Sequence, residues 1–176
     1  MSKVSIIVPI YNVEKYVSKC LDSLTRQTFS DIEILAVSDG SPDNSKEIVL
    51  KYAEKDKRVK FIEKENGGYG SVLETAIARI ESEYFMVCDP DDWLSDDAVE
   101  VLVNTLTKND VDVVVGCKYL VYNDNEEKIY TDSVIHSVNI NTEFDKVYTD
   151  LTSFYYLDPS PHAKLYKTSI CKGIKL

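Results

Sequence analysis

No run of apolar residues in this chain approaches the length of a bilayer span, so the sequence offers no transmembrane helix. Positive charge is scarce: 20 Lys and Arg stand against 30 Asp and Glu. The formal net charge of −10 argues against nucleic acid or an anionic bilayer as the main partner. It still permits a small anionic ligand, provided a bound cation supplies the missing positive charge. The four cysteines, Cys20, Cys88, Cys117 and Cys171, lack the paired spacing of a zinc site and read as buried free thiols of a cytoplasmic protein. Met1-Ser2-Lys3-Val4 enters a strand at once, so no signal peptide is expected. Glycine is missing where nucleotide loops most need it. The first strand, residues 4–8, is followed by Pro9-Ile10-Tyr11-Asn12, which excludes a P-loop and the dinucleotide fingerprint.

What is present is the material of one globular domain. A chain of 176 residues, 44% hydrophobic and 28% charged, can bury a sizeable core. Pro9 is expected to close the first strand, and Asn12 to cap a helix whose stripe is Val13, Tyr16, Val17, Cys20, Leu21 and Leu24. A second strand covers 32–37, and Asp43 or Ser45 is expected to start a helix marked by Ile48, Val49, Tyr52 and Ala53. A strand at 59–62 and a helix striped by Val72, Leu73, Ala76, Ile77 and Ile80 follow. Next come a strand at 84–88 and a helix at about 96–107, with Asp96 and Asp97 read as capping and dipole residues. A strand is expected at 111–117, and alternation over 118–135 suggests a hairpin turning at Asn123-Asp124-Asn125. Residues 136–160 carry no clear period. Such alternation predicts an α/β fold with a mainly parallel, twisted sheet and helices on both faces.

The chemistry concentrates after the 84–88 strand, in Asp89-Pro90-Asp91-Asp92. In an open α/β sheet, ligands sit beyond the carboxyl ends of the strands, where these acids fall. Pro90 fixes a rigid turn between Asp89 and Asp91, and oxygens presented that way are half of a site for a hard cation such as Mg²⁺ or Mn²⁺. A calcium-binding helix–loop–helix is excluded, because Trp93 and Leu94 stand where that loop needs an oxygen ligand and a glycine. Asp39 falls at the carboxyl end of the second strand, on the same side as Asp89. Gly67-Gly68-Tyr69-Gly70 signals backbone that turns tightly or approaches a ligand closely.

Taken in order, Val8-Pro9-Ile10-Tyr11-Asn12, Val37-Ser38-Asp39-Gly40-Ser41-Pro42-Asp43, Asn66-Gly67-Gly68 and Asp89-Pro90-Asp91-Asp92 resemble the motifs of the family 2 glycosyltransferases with the GT-A fold. The resemblance covers essentially the whole chain. It implies a three-layer α/β/α sandwich of Rossmann-like nucleotide-binding architecture, forming one domain over residues 1–176. It also implies inverting, metal-dependent transfer of a sugar from a nucleotide diphosphate donor, a UDP-sugar in the first instance. The acceptor would be a saccharide or a lipid-linked molecule, in bacterial surface polysaccharide assembly, with the enzyme cytoplasmic or peripheral at the inner membrane face. By similarity, Pro9, Ile10 and Tyr11 line the base pocket and Asp39 accepts the uracil N3–H. Asn66, Gly67 and Gly68 complete the nucleotide site, Asp89 holds the ribose, and Asp91 holds Mn²⁺ or Mg²⁺. Asp92 would face the donor sugar. His162 is a further candidate on the metal side, within a His-x-Lys-Leu-Tyr stretch.

Three departures qualify that expectation. Ser38 stands where the family usually has Asp or Asn, and Val72-Leu73-Glu74 where it often has Ala-Arg-Asn, so a cation near the donor is missing. The chain ends at Ile174-Lys175-Leu176, before the acidic motif that supplies the family's general base. This sequence is therefore expected to be the donor-binding N-terminal portion of a longer enzyme and to transfer sugar poorly by itself. A sugar-1-phosphate nucleotidyltransferase would want a basic, glycine-rich loop after the first strand, which is absent. The remaining alternative is a non-catalytic module that binds a nucleotide sugar or a metal.

Overall fold

The structure is a computed structural model that describes residues 2–122, 127–131, 147, 149 and 160–172. In chain order its elements are β1 (Val4–Ile10), α1 (Val17–Thr25), β2 (Ile32–Ser38), α2 (Ser45–Lys55), β3 (Val59–Glu63) and α3 (Tyr69–Ile77). There follow β4 (Tyr84–Val87), α4 (Ala98–Asn109), β5 (Val113–Val115), β6 (Lys118–Tyr122), β7 (Glu127–Thr131), β8 (Lys164–Lys167) and a short 3-10 turn at Thr168–Ile170. Six strands form one sheet in the order β3-β2-β1-β4-β8-β5, while β6 and β7 pair apart from it. The strands β1 to β4 are mutually parallel, and β8 runs antiparallel between β4 and β5.

Alternation along the strands sorts the core into two faces. Val4, Ile6, Val8 and Ile10 of β1 pack with Val17, Cys20, Leu21 and Leu24 of α1, Val49 of α2, and Val99, Leu102, Val103 and Leu106 of α4. Ile7 turns the other way, joining Leu35, Val37, Phe85 and Val87 against Val72 and Ala76 of α3. The result is the expected three-layer arrangement. Leu21 and Leu24 are wholly buried, and each contributes about 1.5–3 kcal/mol by that burial.

Several local expectations are corrected. Pro9 does not end β1, which runs on to Ile10. Cys88 N–H donates to Ile7 O, so Ile7 and, two residues on, Pro9 face β4, and β4 has ended by then. The missing proline N–H therefore costs no ladder bond. Asn12 is not a helix cap but sits in the left-handed region at φ 55, and α1 begins only at Val17 with Tyr16 exposed. Neither Asp96 nor Asp97 caps α4 through its side chain. That N-terminus is instead satisfied from a distant segment: Gln27 Oε1 accepts Val99 N–H at 3.0 Å, and Gln27 Nε2 donates to Ser95 O at 2.7 Å. The expected strand at 111–117 is only three residues long, and residues 164–167, given no element from the sequence, form the strand beside β4. Cys20 and Cys88 are buried free thiols as expected, whereas Cys117 is exposed and Cys171 half-buried. The β6–β7 pairing agrees with the expected hairpin, although its turn at 123–125 and the stretch 136–159, apart from residues 147 and 149, lie outside the described residues. No described helix is long and apolar enough to cross a membrane.

Candidate active site

The sheet order places β1 between β2 and β4, so the carboxyl ends of these three strands adjoin. Pro9-Ile10-Tyr11, Ser38-Asp39 and Asp89-Pro90-Asp91-Asp92 leave the sheet there, at its switch point, where β1 feeds β2 on one side and has β4 on the other. Asp39 N–H donates to Ile10 O at 3.0 Å, tying the first two ends together. Pro9 and Ile10 are buried, and the Tyr11 ring projects with 51% of its surface exposed.

Two loops are clasped behind Tyr11. Asp43 Oδ2 accepts Glu14 N–H at 2.8 Å, while its Oδ1 accepts the Ser41 hydroxyl at 2.6 Å and Ser45 N–H at 3.1 Å. Ser41 Oγ in turn accepts Asn12 N–H at 2.8 Å, and Glu14 Oε2 accepts Asn44 N–H at 3.0 Å. Asp43 is thus more than the helix-start residue expected from the sequence. Burial alone would raise its carboxyl, but these hydrogen bonds hold it at about 2.

Asp39 is buried, with 4% of its surface exposed. Its Oδ1 accepts Lys64 Nζ at 2.5 Å and Gly67 N–H at 3.0 Å, and its Oδ2 accepts Gly68 N–H at 2.8 Å. Burial opposes ionisation, yet Lys64 and the two amides together hold the carboxyl below its ordinary value. Gly68, at φ 85 and ψ 170, occupies a region that only glycine enters readily and opens α3 directly. Asn66 is exposed at the entrance of this turn.

The acidic turn is joined to α3 and to the turn that leads into β8. Tyr69 O–H donates to Asp89 Oδ1 at 3.0 Å, and His162 Nε2 bonds Asp89 Oδ2. His162 Nδ1 lies 3.9 Å from Asp92 Oδ2. The bond to Asp89 raises the imidazole's pKa, and burial followed by the Asp89 charge raises the Tyr69 phenol. Asp92 is raised by burial, with the neighbouring Asp91 and Asp89 charges adding to the effect and His162 opposing it. Asp91 is exposed at the tip of the turn. Among the described residues, no three His, Cys, Asp or Glu side chains are grouped to hold a metal by themselves. Tyr69 and Lys64 are the members that sequence reasoning missed. Tyr69 lay within the glycine cluster, whereas Lys64 carried no motif signal.

The family model described as glycosyl transferase family 2 matches residues 5–174. The chain belongs to that family. This family 2 chain is 36% identical over 174 residues to the glycosyltransferase GlyA of Streptococcus pneumoniae serotype 4, spanning 99% of itself and 23% of GlyA. Among solved structures it resembles S. aureus TarS 1-349 in complex with UDP-GlcNAc, at TM-score 0.78 and 29% identity, over 97% of this chain and 46% of that one. It also resembles the Pyrobaculum calidifontis mannosyltransferase PcManGT in complex with GDP-Man and Mn²⁺, at TM-score 0.60 and 26% identity, over 65% of this chain and 35% of that one. The chain thus spans less than half the length of each. The GT-A sandwich expected from the motifs is the fold observed.

Proposed function

We propose that this chain binds a nucleotide diphosphate sugar, a UDP-sugar in the first instance, and that the whole protein transfers the sugar with inversion to a saccharide or lipid-linked acceptor. One observation carries the reading: the Asp39–Gly67–Gly68 clasp and the Asp89-Pro90-Asp91-Asp92 turn leave the carboxyl end of the same sheet, on strands that flank β1. The fold's likeness to a UDP-GlcNAc-bound protein supports the donor class. In this reading Tyr11 offers its exposed face to the base, with Pro9 and Ile10 as the buried wall beneath it. Asp39 accepts the imide N–H of uracil, and Asn66, Gly67 and Gly68 let the backbone approach the nucleoside. Asp89 holds the ribose, and Asp92 faces the donor sugar.

Asp91 would hold Mn²⁺ or Mg²⁺, with Asp89 and His162 adjacent. The donor set suits a hard cation, because such ions commonly take one or two carboxylates and complete their shell with substrate phosphates and water. A two-acid turn without a protein cage is then sufficient. Bound there, the ion supplies Lewis-acid stabilisation of the departing diphosphate. It also answers the charge problem posed by an acidic chain binding an anionic donor. A lipid-linked acceptor would bring the protein to the inner membrane face.

Thermal melting with UDP, Mn²⁺ and both together tests the proposal. A site built in this way gives a larger rise in Tm with both than the two separate rises combined. Stabilisation by Ca²⁺ alone, with no response to UDP, would leave a metal-binding module and remove the donor reading.

A further inference from the structure

A carboxylate has about four acceptor positions, two on each oxygen. On Asp39, Lys64 Nζ and Gly67 N–H fill both positions of Oδ1, and Gly68 N–H fills one of Oδ2. One position is left, in a residue that exposes only 4% of its surface. Lys64 is fixed in its turn. Its ammonium has three N–H donors and three partners: Asp39 Oδ1, Glu65 O at 2.5 Å and Ser71 Oγ at 2.8 Å. It therefore staples the end of β2, the loop after β3 and the first turn of α3.

We propose that Lys64 is a specificity-determining residue of the donor site: by occupying Oδ1 it leaves Asp39 a single acceptor position, which favours a base with one imide N–H over a base presenting two adjacent donors. The inference rests on the reading in which Asp39 faces the base, and adds to it the residue that sets the base preference. Uracil presents one donor, N3–H, flanked by two carbonyls, and one acceptor position satisfies it. Guanine presents N1–H beside its exocyclic amine, a pair that an unencumbered carboxylate takes with both oxygens. With Oδ1 filled, the second donor is left buried and unpaired, which is the usual source of strong discrimination by a polar pocket. Removal of Lys64 returns one position to Oδ1, giving one on each oxygen, the arrangement that guanine needs.

The experiment is calorimetric binding of UDP, N3-methyl-UDP and GDP, each at fixed Mn²⁺, to the parent, Lys64→Met, Lys64→Arg and Ser71→Ala. The parent should prefer UDP to GDP by tenfold or more and should lose about tenfold on N3-methylation. Lys64→Met should narrow the UDP-to-GDP ratio about tenfold, with UDP weaker and GDP stronger. Lys64→Arg restores a donor to Oδ1 and should keep the parent ratio. Ser71→Ala loosens the staple without changing the acceptor count at Asp39, so it should keep that ratio too. An unchanged ratio in Lys64→Met overturns the proposal, as does an equal change in Ser71→Ala, which would mean that loop loosening is responsible. A parent that binds GDP as tightly as UDP, or N3-methyl-UDP as tightly as UDP, overturns it without any variant, so the test survives a Lys64→Met protein that does not fold. Failure of every nucleoside diphosphate to bind the parent would instead remove the donor reading itself.

Discussion

Asp43→Asn should destabilise this protein well beyond what an exposed-looking loop acid would suggest. The fall of the Asp43 carboxyl from 3.8 to about 2 corresponds to about 2 kcal/mol in favour of the ionised form in the folded state. Solvent screening of a half-buried loop group reduces that to roughly 1–2 kcal/mol. An asparagine that keeps its oxygen at the Oδ1 position, for Ser41 and Ser45, directs its amide at Glu14 N–H, where Oδ2 accepted at 2.8 Å. A donor then meets a donor, adding about 1 kcal/mol. The expected loss is about 2–3 kcal/mol, or roughly 5–10 °C in Tm for a chain of this size. The pH dependence has a definite sign. A depressed carboxylate contributes stability that is fully present above its unfolded value of 3.8 and is lost as pH falls towards the folded value of about 2. The gap between parent and variant in urea unfolding should therefore be constant from pH 7 to 5 and fall to about half its charge-dependent part by pH 3. A gap below about 0.5 kcal/mol at pH 7, of the size expected for an ordinary surface change, would refute the clasp. So would a gap that stays constant down to pH 3.

Asp91→Asn should abolish the Mn²⁺-dependent part of UDP binding in calorimetry while leaving Tm within about 2 °C, since its carboxylate is exposed at the tip of the turn. Equal UDP affinity with and without Mn²⁺ in the parent would count against the assignment. Gly68→Ala should cost about 1–3 kcal/mol in chemical denaturation, because φ 85 with ψ 170 strains any side chain. The added methyl has no neighbour within 4 Å, so a neutral result would show that the turn relaxes. Asp39→Ala should weaken UDP at least tenfold and also lower Tm, because the Gly67 and Gly68 amides and Lys64 lose their shared acceptor. A UDP loss without any stability loss would place Asp39 outside that clasp.

The sequence by itself determined the class of fold and the strand ends at which the candidate site residues fall. Apolar strands of period two alternating with helices of period 3.6 require a layered α/β sheet, and the polar motifs fall after strands β1, β2 and β4 because loops there need not be buried. Ile6 and Ile7 could be assigned to opposite faces from alternation alone. Tertiary structure decided which groups meet. β8 lies 77 residues beyond β4, between Val87 and Lys164, and no local pattern reports that it pairs there and brings His162, two residues before the strand, against Asp89. Gln27 caps α4 across 72 positions, replacing the nearby Asp96 and Asp97 that propensity favours. Lys64 reads as an ordinary surface lysine until the β2 and β3 ends are brought side by side and its ammonium meets Asp39. Propensity and periodicity record what a residue does to its own turn or strand. Hydrogen bonds between groups far apart in sequence are fixed only when the sheet order sets the distances, and in this chain those bonds shape the candidate site.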